Sequence, residues 1–96
     1  MMEKISIGGG KKAYASQIVY LQADVNYTYV FLKSGRKEFV ATTLGVLEKR
    51  LSDFDFIRPN RKVVINRQYI REIKGGKVIL EGRQEFRISR RRNINS

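Results

Sequence analysis

The chain has 96 residues, 42% hydrophobic and 30% charged, with one proline, which is enough for one domain and too apolar for a disordered tail. It contains no cysteine and no histidine, which excludes disulfides and thiolate metal sites and removes the commonest general base. The formal charge of +11 is unevenly placed: residues 1–56 hold eight Lys+Arg against six Asp+Glu, and residues 57–96 hold twelve against three. A basic second half of this kind is the electrostatic footprint of a polyanion binder, with nucleic acid the commonest partner.

A chain this short is expected to build a single core. No apolar run approaches the roughly 20 residues of a membrane span, and the first residues lack the apolar stretch of a signal peptide. A cytoplasmic protein with no membrane partner is therefore expected.

Ile5 and Ile7 alternate with Lys4 and Ser6, so the chain opens on an edge strand, with residues 11–14 as its continuation or its hairpin partner. Ile18, Val19, Tyr20 and Leu21 form a buried strand that ends near Asp24. Asp24, Val25 and Asn26 then form a turn, because Asp and Asn bond back to the nearby backbone and tolerate left-handed dihedrals. Residues 27–32 are apolar on both faces, with Tyr27, Tyr29 and Phe31 alternating with Thr28, Val30 and Leu32, which suits a central strand. Residues 33–36 make a hairpin connection, and residues 38–41 return.

Thr42 or Thr43 can cap the one good helix, whose Leu44, Leu47 and Leu51 fall on one face, with Lys49 and Arg50 near its negative end. The leucine stripe spans barely two turns, so it reads as core and not as a dimer seam. Phe54 and Phe56 dock after the helix. Val63, Val64 and Ile65 are the run expected of a central strand buried on both faces. The polar stretch before it, Asn60, Arg61 and Lys62, is a donor-rich loop on the rim of the sheet, and such a rigidly mounted loop is a recognition device. Residues 70–74 and 77–81 flank a tight turn at Gly75 and Gly76, and Phe86 and Ile88 alternate with Glu85 and Arg87 in a last strand. Ser89 can cap a final helical turn carrying Arg90, Arg91 and Arg92. The whole is a mainly β, antiparallel domain of eight to ten short strands with one short inserted helix.

No paired carboxylates, nucleophile with base, or phosphate loop stands out, and the triple glycine at residues 8–10 lacks the lysine-serine continuation of such a loop. Neither an enzyme nor a cofactor or metal is expected. Most bacterial DNA-binding domains read the major groove with a helix. Here the exposed side of the single helix is not unusually basic, so readout is expected from loops between strands.

At this point the sequence resembles the LytTR DNA-binding domain, the output module of LytR- and AgrA-like response regulators. The resemblance rests on Ile18, Val19, Tyr20, Leu21, Gln22 and Ala23 followed by Asn26 and Tyr27. It continues in Thr43, Leu44, Leu47 and Leu51 ahead of Phe56, Ile57 and Arg58, then in Val63, Val64, Ile65 and Asn66 with Tyr69 and Ile70, and ends in Ile88, Ser89, Arg90 and Arg91. It runs from about residue 16 to residue 93 within a single domain of residues 1–96. The family implies an elongated multi-sheet β fold whose loops enter successive major grooves of double-stranded DNA. It also implies paired repeats in promoter regions and a homodimer formed on the DNA.

Carried over by position, the contacts implied are Asn26 with Tyr27, then Asn60, Arg61 and Lys62, then Arg90 and Arg91, the last being the closest match. Arginine presents two donors to guanine, asparagine bridges the donor and acceptor of adenine, and lysine suits phosphate. The chain departs from the family at Pro59 and Asn60, where a valine followed by histidine is usual, and at Lys62, where serine is common. The base sequence recognised is therefore not inherited.

Bland readings stand beside these. Asn66 reads as a structural residue satisfying backbone groups, Asn26 equally as turn or contact, and Tyr27, Tyr29 and Phe31 as packing more than a stacking platform. Two other functions remain open. One is a single-stranded nucleic-acid or RNA binder, and the other a basic protein-interaction module for acidic partners.

Overall fold

In the computed structural model, which describes residues 4–90, the alternating start folds as a hairpin of β1 (Lys4–Gly8) and β2 (Lys11–Tyr14). Gly8, Gly9 and Gly10 turn it at φ values of 118°, 62° and 76°, a region that residues with a Cβ avoid. The further strands are β3 (Ile18–Asp24), β4 (Tyr27–Leu32), β5 (Lys37–Val40), β6 (Phe56–Asn60), β7 (Val63–Asn66), β8 (Ile70–Lys74), β9 (Lys77–Leu80) and β10 (Glu85–Arg87). Helix α1 (Leu44–Arg50) lies between β5 and β6. Every pairing is antiparallel, in a five-stranded sheet ordered β5-β4-β3-β7-β6 and a three-stranded sheet ordered β10-β9-β8. The mainly β class and the single inserted helix match the sequence reading, in a body of 38 × 28 × 23 Å.

All four side chains of β7 are buried, the three apolar ones as their unbroken run demands and Asn66 with them. Strand geometry alternates them: Val64 enters a core with Ile18, Leu21, Val30 and the α1 leucines, while Val63 and Ile65 enter a second core with Tyr20, Ile57, Val78 and Leu80. The expectation of a single core is corrected here. The five-stranded sheet is the middle of three layers, and its interior strands β3 and β7 supply both cores at once, which is how a short chain can build two.

Leu44, Leu47 and Leu51 are buried against the first core, as the stripe predicts, each such burial being worth about 1.5–3 kcal/mol. The expected hydroxyl cap is absent. Thr43 holds the N-cap position without a side-chain bond, and the carbonyl of Thr42 accepts the buried Thr28 hydroxyl at 2.7 Å. Packing, not capping, holds this short helix.

The stretch before β7 is also more regular than expected. Phe56–Asn60 pairs with β7 as an edge strand, so the loop shrinks to a two-residue turn at Arg61 and Lys62. Pro59 fits because β6 is an edge and its register slips between Ile57 and Asn60, a bulge that leaves one residue unpaired. Asn66 is structural, as read: its Nδ2 donates to the carbonyls of Ile18 at 2.9 Å and Ala15 at 3.3 Å, and its Oδ1 accepts from Gln68 N at 3.0 Å.

Candidate nucleic-acid interface

Strands β3 and β6 run toward one end of the five-stranded sheet, and β4 and β7 leave it. The β3–β4 turn at Val25 and Asn26 and the β6–β7 turn at Arg61 and Lys62 therefore emerge side by side, tied by the Ala23 N–H to the Lys62 carbonyl at 2.8 Å. The segment after β10 joins them. Ser89 N donates to the Pro59 carbonyl at 2.9 Å, and Asn60 Nδ2 donates to the Arg87 carbonyl at 2.7 Å. Ile88 N donates to the Gly76 carbonyl at 2.8 Å, which brings in the β8–β9 turn as well. Four chain segments distant in sequence thus share one end.

Asn26 is exposed in its turn, beside Val25, which is 89% exposed and takes the left-handed φ of 58°. The turn was expected, but the aspartate and asparagine were the residues suited to that conformation, and the valine adopts it. Tyr27 begins β4, 45% exposed, and stacks on Phe39 with centroids 4.9 Å apart. Asn60 is partly committed: besides the bond to Arg87, its Oδ1 accepts from Lys62 N at 2.8 Å, leaving one N–H and one lone pair for other partners. Arg61, Lys62 and Arg90 are exposed and enter no ion pair among the described residues. Arg91 and the helical turn expected after Ser89 lie outside the described residues.

Sequence reading gave no role at this surface to four of its neighbours, Arg58, Lys74, Lys77 and Arg87. Lys74 and Lys77 flank the glycine turn, and a tight turn bracketed by lysines in the basic half was the available signal. Lys77 pairs with Glu85 at 3.2 Å, whereas Lys74 and Arg87 are exposed without an ion pair among the described residues. Arg58 points inward and braces the turn, its Nη2 donating to the Arg61 carbonyl at 2.9 Å. Arg61, Lys62, Lys74, Arg87 and Arg90 therefore offer an array of cations to a polyanion, whose displaced counterions would make affinity fall with salt.

The aromatic residues behave mainly as packing. Phe31 stacks on Tyr20 at 4.3 Å, Tyr20 meets Phe86 at 4.9 Å, and Tyr29 leans on Phe39 at 4.5 Å, so the inner rings already face one another. At the opposite end of the sheet a hollow of about 270 Å³ is lined by Ala15, Phe54, Asn66 and Arg67, among others. No cluster of His, Cys, Asp or Glu able to hold a metal occurs among the described residues, nor does a helix long and apolar enough to cross a membrane. The resolved pKa shifts all move away from neutrality. Burial raises the phenols of Tyr20 and Tyr69 above their ordinary value, and the Lys11 ammonium bonded to Glu38 lowers that carboxyl.

Three comparisons bear on this geometry. The family model of the LytTr DNA-binding domain matches residues 11–94. The sensory transduction protein LytT of Bacillus subtilis (strain 168) is 54% identical over 35 residues, a segment that covers 36% of this chain and 14% of that protein. A solved LytTr DNA-binding domain from Bacillus cereus has the same fold, with a TM-score of 0.68 at 19% identity, covering 92% of this chain and 85% of its own.

Proposed function

Because this chain belongs to the LytTr DNA-binding domain family, a family of DNA binders and not of enzymes, we propose that it reads specific sequences of double-stranded DNA and regulates transcription. Loops between strands, inserted in the major groove, carry the reading. One observation supports it above the others: the Asn60, Arg61 and Lys62 corner is bonded directly to the segment that leads into the late arginines, through Asn60 Nδ2 to Arg87 O at 2.7 Å and Ser89 N to Pro59 O at 2.9 Å. In this reading two groups widely separated in sequence meet one duplex from one side.

In this reading Arg61 and Arg91 reach base edges, where a planar guanidinium matches the acceptor pair of guanine. Lys62 and Arg90 contact phosphates, which position the domain without reading sequence. Asn26 and Tyr27 touch the neighbouring stretch of DNA. Asn60 serves chiefly as the clamp of the corner, with its remaining N–H free for a base. Paired repeats in promoter regions, bound by two copies of the domain, are the arrangement that the family resemblance implies.

Selection from random duplex oligonucleotides, followed by titration of the selected and a scrambled duplex at two salt concentrations, tests the proposal. The expected outcome is one enriched motif, its repeat spacing, and affinity for it that falls with salt while exceeding the scrambled duplex at both concentrations. Equal competition by random duplex, or by single strands, would overturn it.

A further inference from the structure

We propose that Arg58 is a positioning residue for sequence reading, holding the Arg61 and Lys62 turn in register with helix α1 through Glu48. The inference rests on the reading of that turn as a DNA-contacting element. Arg58 lies in β6 between Ile57 and Pro59, and its side chain is 18% exposed. Its Nη1 donates to Glu48 Oε1 at 2.7 Å, and its Nη2 donates to the Arg61 carbonyl at 2.9 Å. The Nε is the one buried side-chain nitrogen without a hydrogen-bond partner among the described residues, so the two Nη bonds anchor the guanidinium.

The turn is held at three backbone groups, and only one of those bonds is local to it. The Lys62 N–H is held by Asn60 Oδ1 at 2.8 Å, and the Lys62 carbonyl by Ala23 N at 2.8 Å. The Arg61 carbonyl is held by Arg58. Rotating the peptide between Arg61 and Lys62 would break that bond together with the one from Lys62 N to Asn60 Oδ1, and would re-aim both exposed side chains. A bidentate guanidinium fixes two acceptors at once, whereas an ammonium is a point donor that cannot reproduce the fork. Glu48, on the surface of α1, keeps the fork in place and neutralises its charge. Arg58 is therefore set apart from the cations that face outward at this end: its removal should disturb where the turn points, not how strongly the surface attracts phosphate.

Arg58→Lys and Glu48→Gln, titrated with the wild-type-selected duplex and with random duplex at a temperature where melting curves show each protein folded, give the test. Arg58→Lys is expected to lose about tenfold on the selected duplex, about 1.4 kcal/mol. Its random-duplex affinity should stay within about twofold and its salt slope should not change. Glu48→Gln provides the sharper contrast. It adds one unit of positive charge, so electrostatics alone would tighten binding to every duplex, whereas a positioning role weakens the selected duplex alone.

Amide chemical shifts report on the turn without DNA, and both variants should move those of residues 60–62 and of Ala23. Discrimination and shifts that both stay as in wild type would overturn the inference. So would losses of equal size on the selected and the random duplex, the signature of a direct phosphate contact that carries no sequence information. If wild-type protein fails to discriminate, the reading of the turn as a sequence reader falls, and the amide shifts still decide whether Arg58 sets the turn.

Discussion

Replacing Asn66 with alanine separates what builds this fold from what meets DNA. The side chain is 5% exposed and makes three bonds, which are not equal. The 3.3 Å contact with the Ala15 carbonyl is long, and that carbonyl keeps the backbone N–H of Ile18 as a partner, so its loss counts for little. The 2.9 Å bond to the Ile18 carbonyl is buried, and leaving a buried acceptor without it costs about 1–3 kcal/mol. The Oδ1 bond to Gln68 N caps the short 3-10 turn Arg67–Tyr69 and contributes about 0.5–2 kcal/mol. Together the loss comes to about 1.5–5 kcal/mol, which lowers Tm by about 6–40 °C in a domain of this size. Urea denaturation followed by circular dichroism measures it.

Asn66 closes the end of the sheet opposite the turns, so at low temperature, where the variant stays folded, its preference for selected over random duplex should match wild type. A variant of normal stability that has lost DNA discrimination would refute the reasoning and make Asn66 a contact residue.

Arg61→Ala and Arg91→Ala should each cost about 1–3 kcal/mol on the selected duplex and flatten discrimination, and an unchanged selected-to-random ratio in both would remove those assignments. Lys62→Ala should weaken all duplexes alike and lower the salt slope by about one unit, as read from affinities at several salt concentrations. Val25→Gly should raise stability by about 1 kcal/mol in urea titrations, because glycine relieves the left-handed strain at φ 58° that a β-branched residue resists. With no histidine in the chain and the resolved shifts directed away from neutrality, duplex affinity should change little between about pH 6 and 8. Glu38 is lowered by its bond to Lys11, so its contribution to stability is present above the ordinary carboxylate range and fades as pH falls through its lowered value. Acid titration of wild type against Glu38→Gln checks that sign.

Elements written in neighbouring residues were legible in the chain. The buried run at Val63, Val64 and Ile65, the leucines on one helical face, the glycine turns and the alternation at Phe86 and Ile88 depend on periods of two or three to four residues. The structure bears them out. The family was legible too, because its motif is an ordered set of such local features. Less legible were properties that depend on partners far along the chain. Asn60 looked like a free recognition side chain, yet the carbonyl that engages it belongs to Arg87, twenty-seven positions away. Arg58 looked like one more basic residue, yet it faces Glu48 on the helix.

Local composition thus sufficed for the strands, the helix, the basic half and the kind of partner it attracts, since propensity and charge are properties of each residue and its immediate neighbours. Strand order was a different matter. Antiparallel pairing of β3 with β7, and the bond from Ser89 to Pro59, bring three turns and the late chain to the same end of one sheet. The two cores have the same origin, because a strand's second face is buried only when another sheet folds over it. Which donors remain free for a duplex follows from that closure, which satisfies some side chains within the fold and leaves others pointing out.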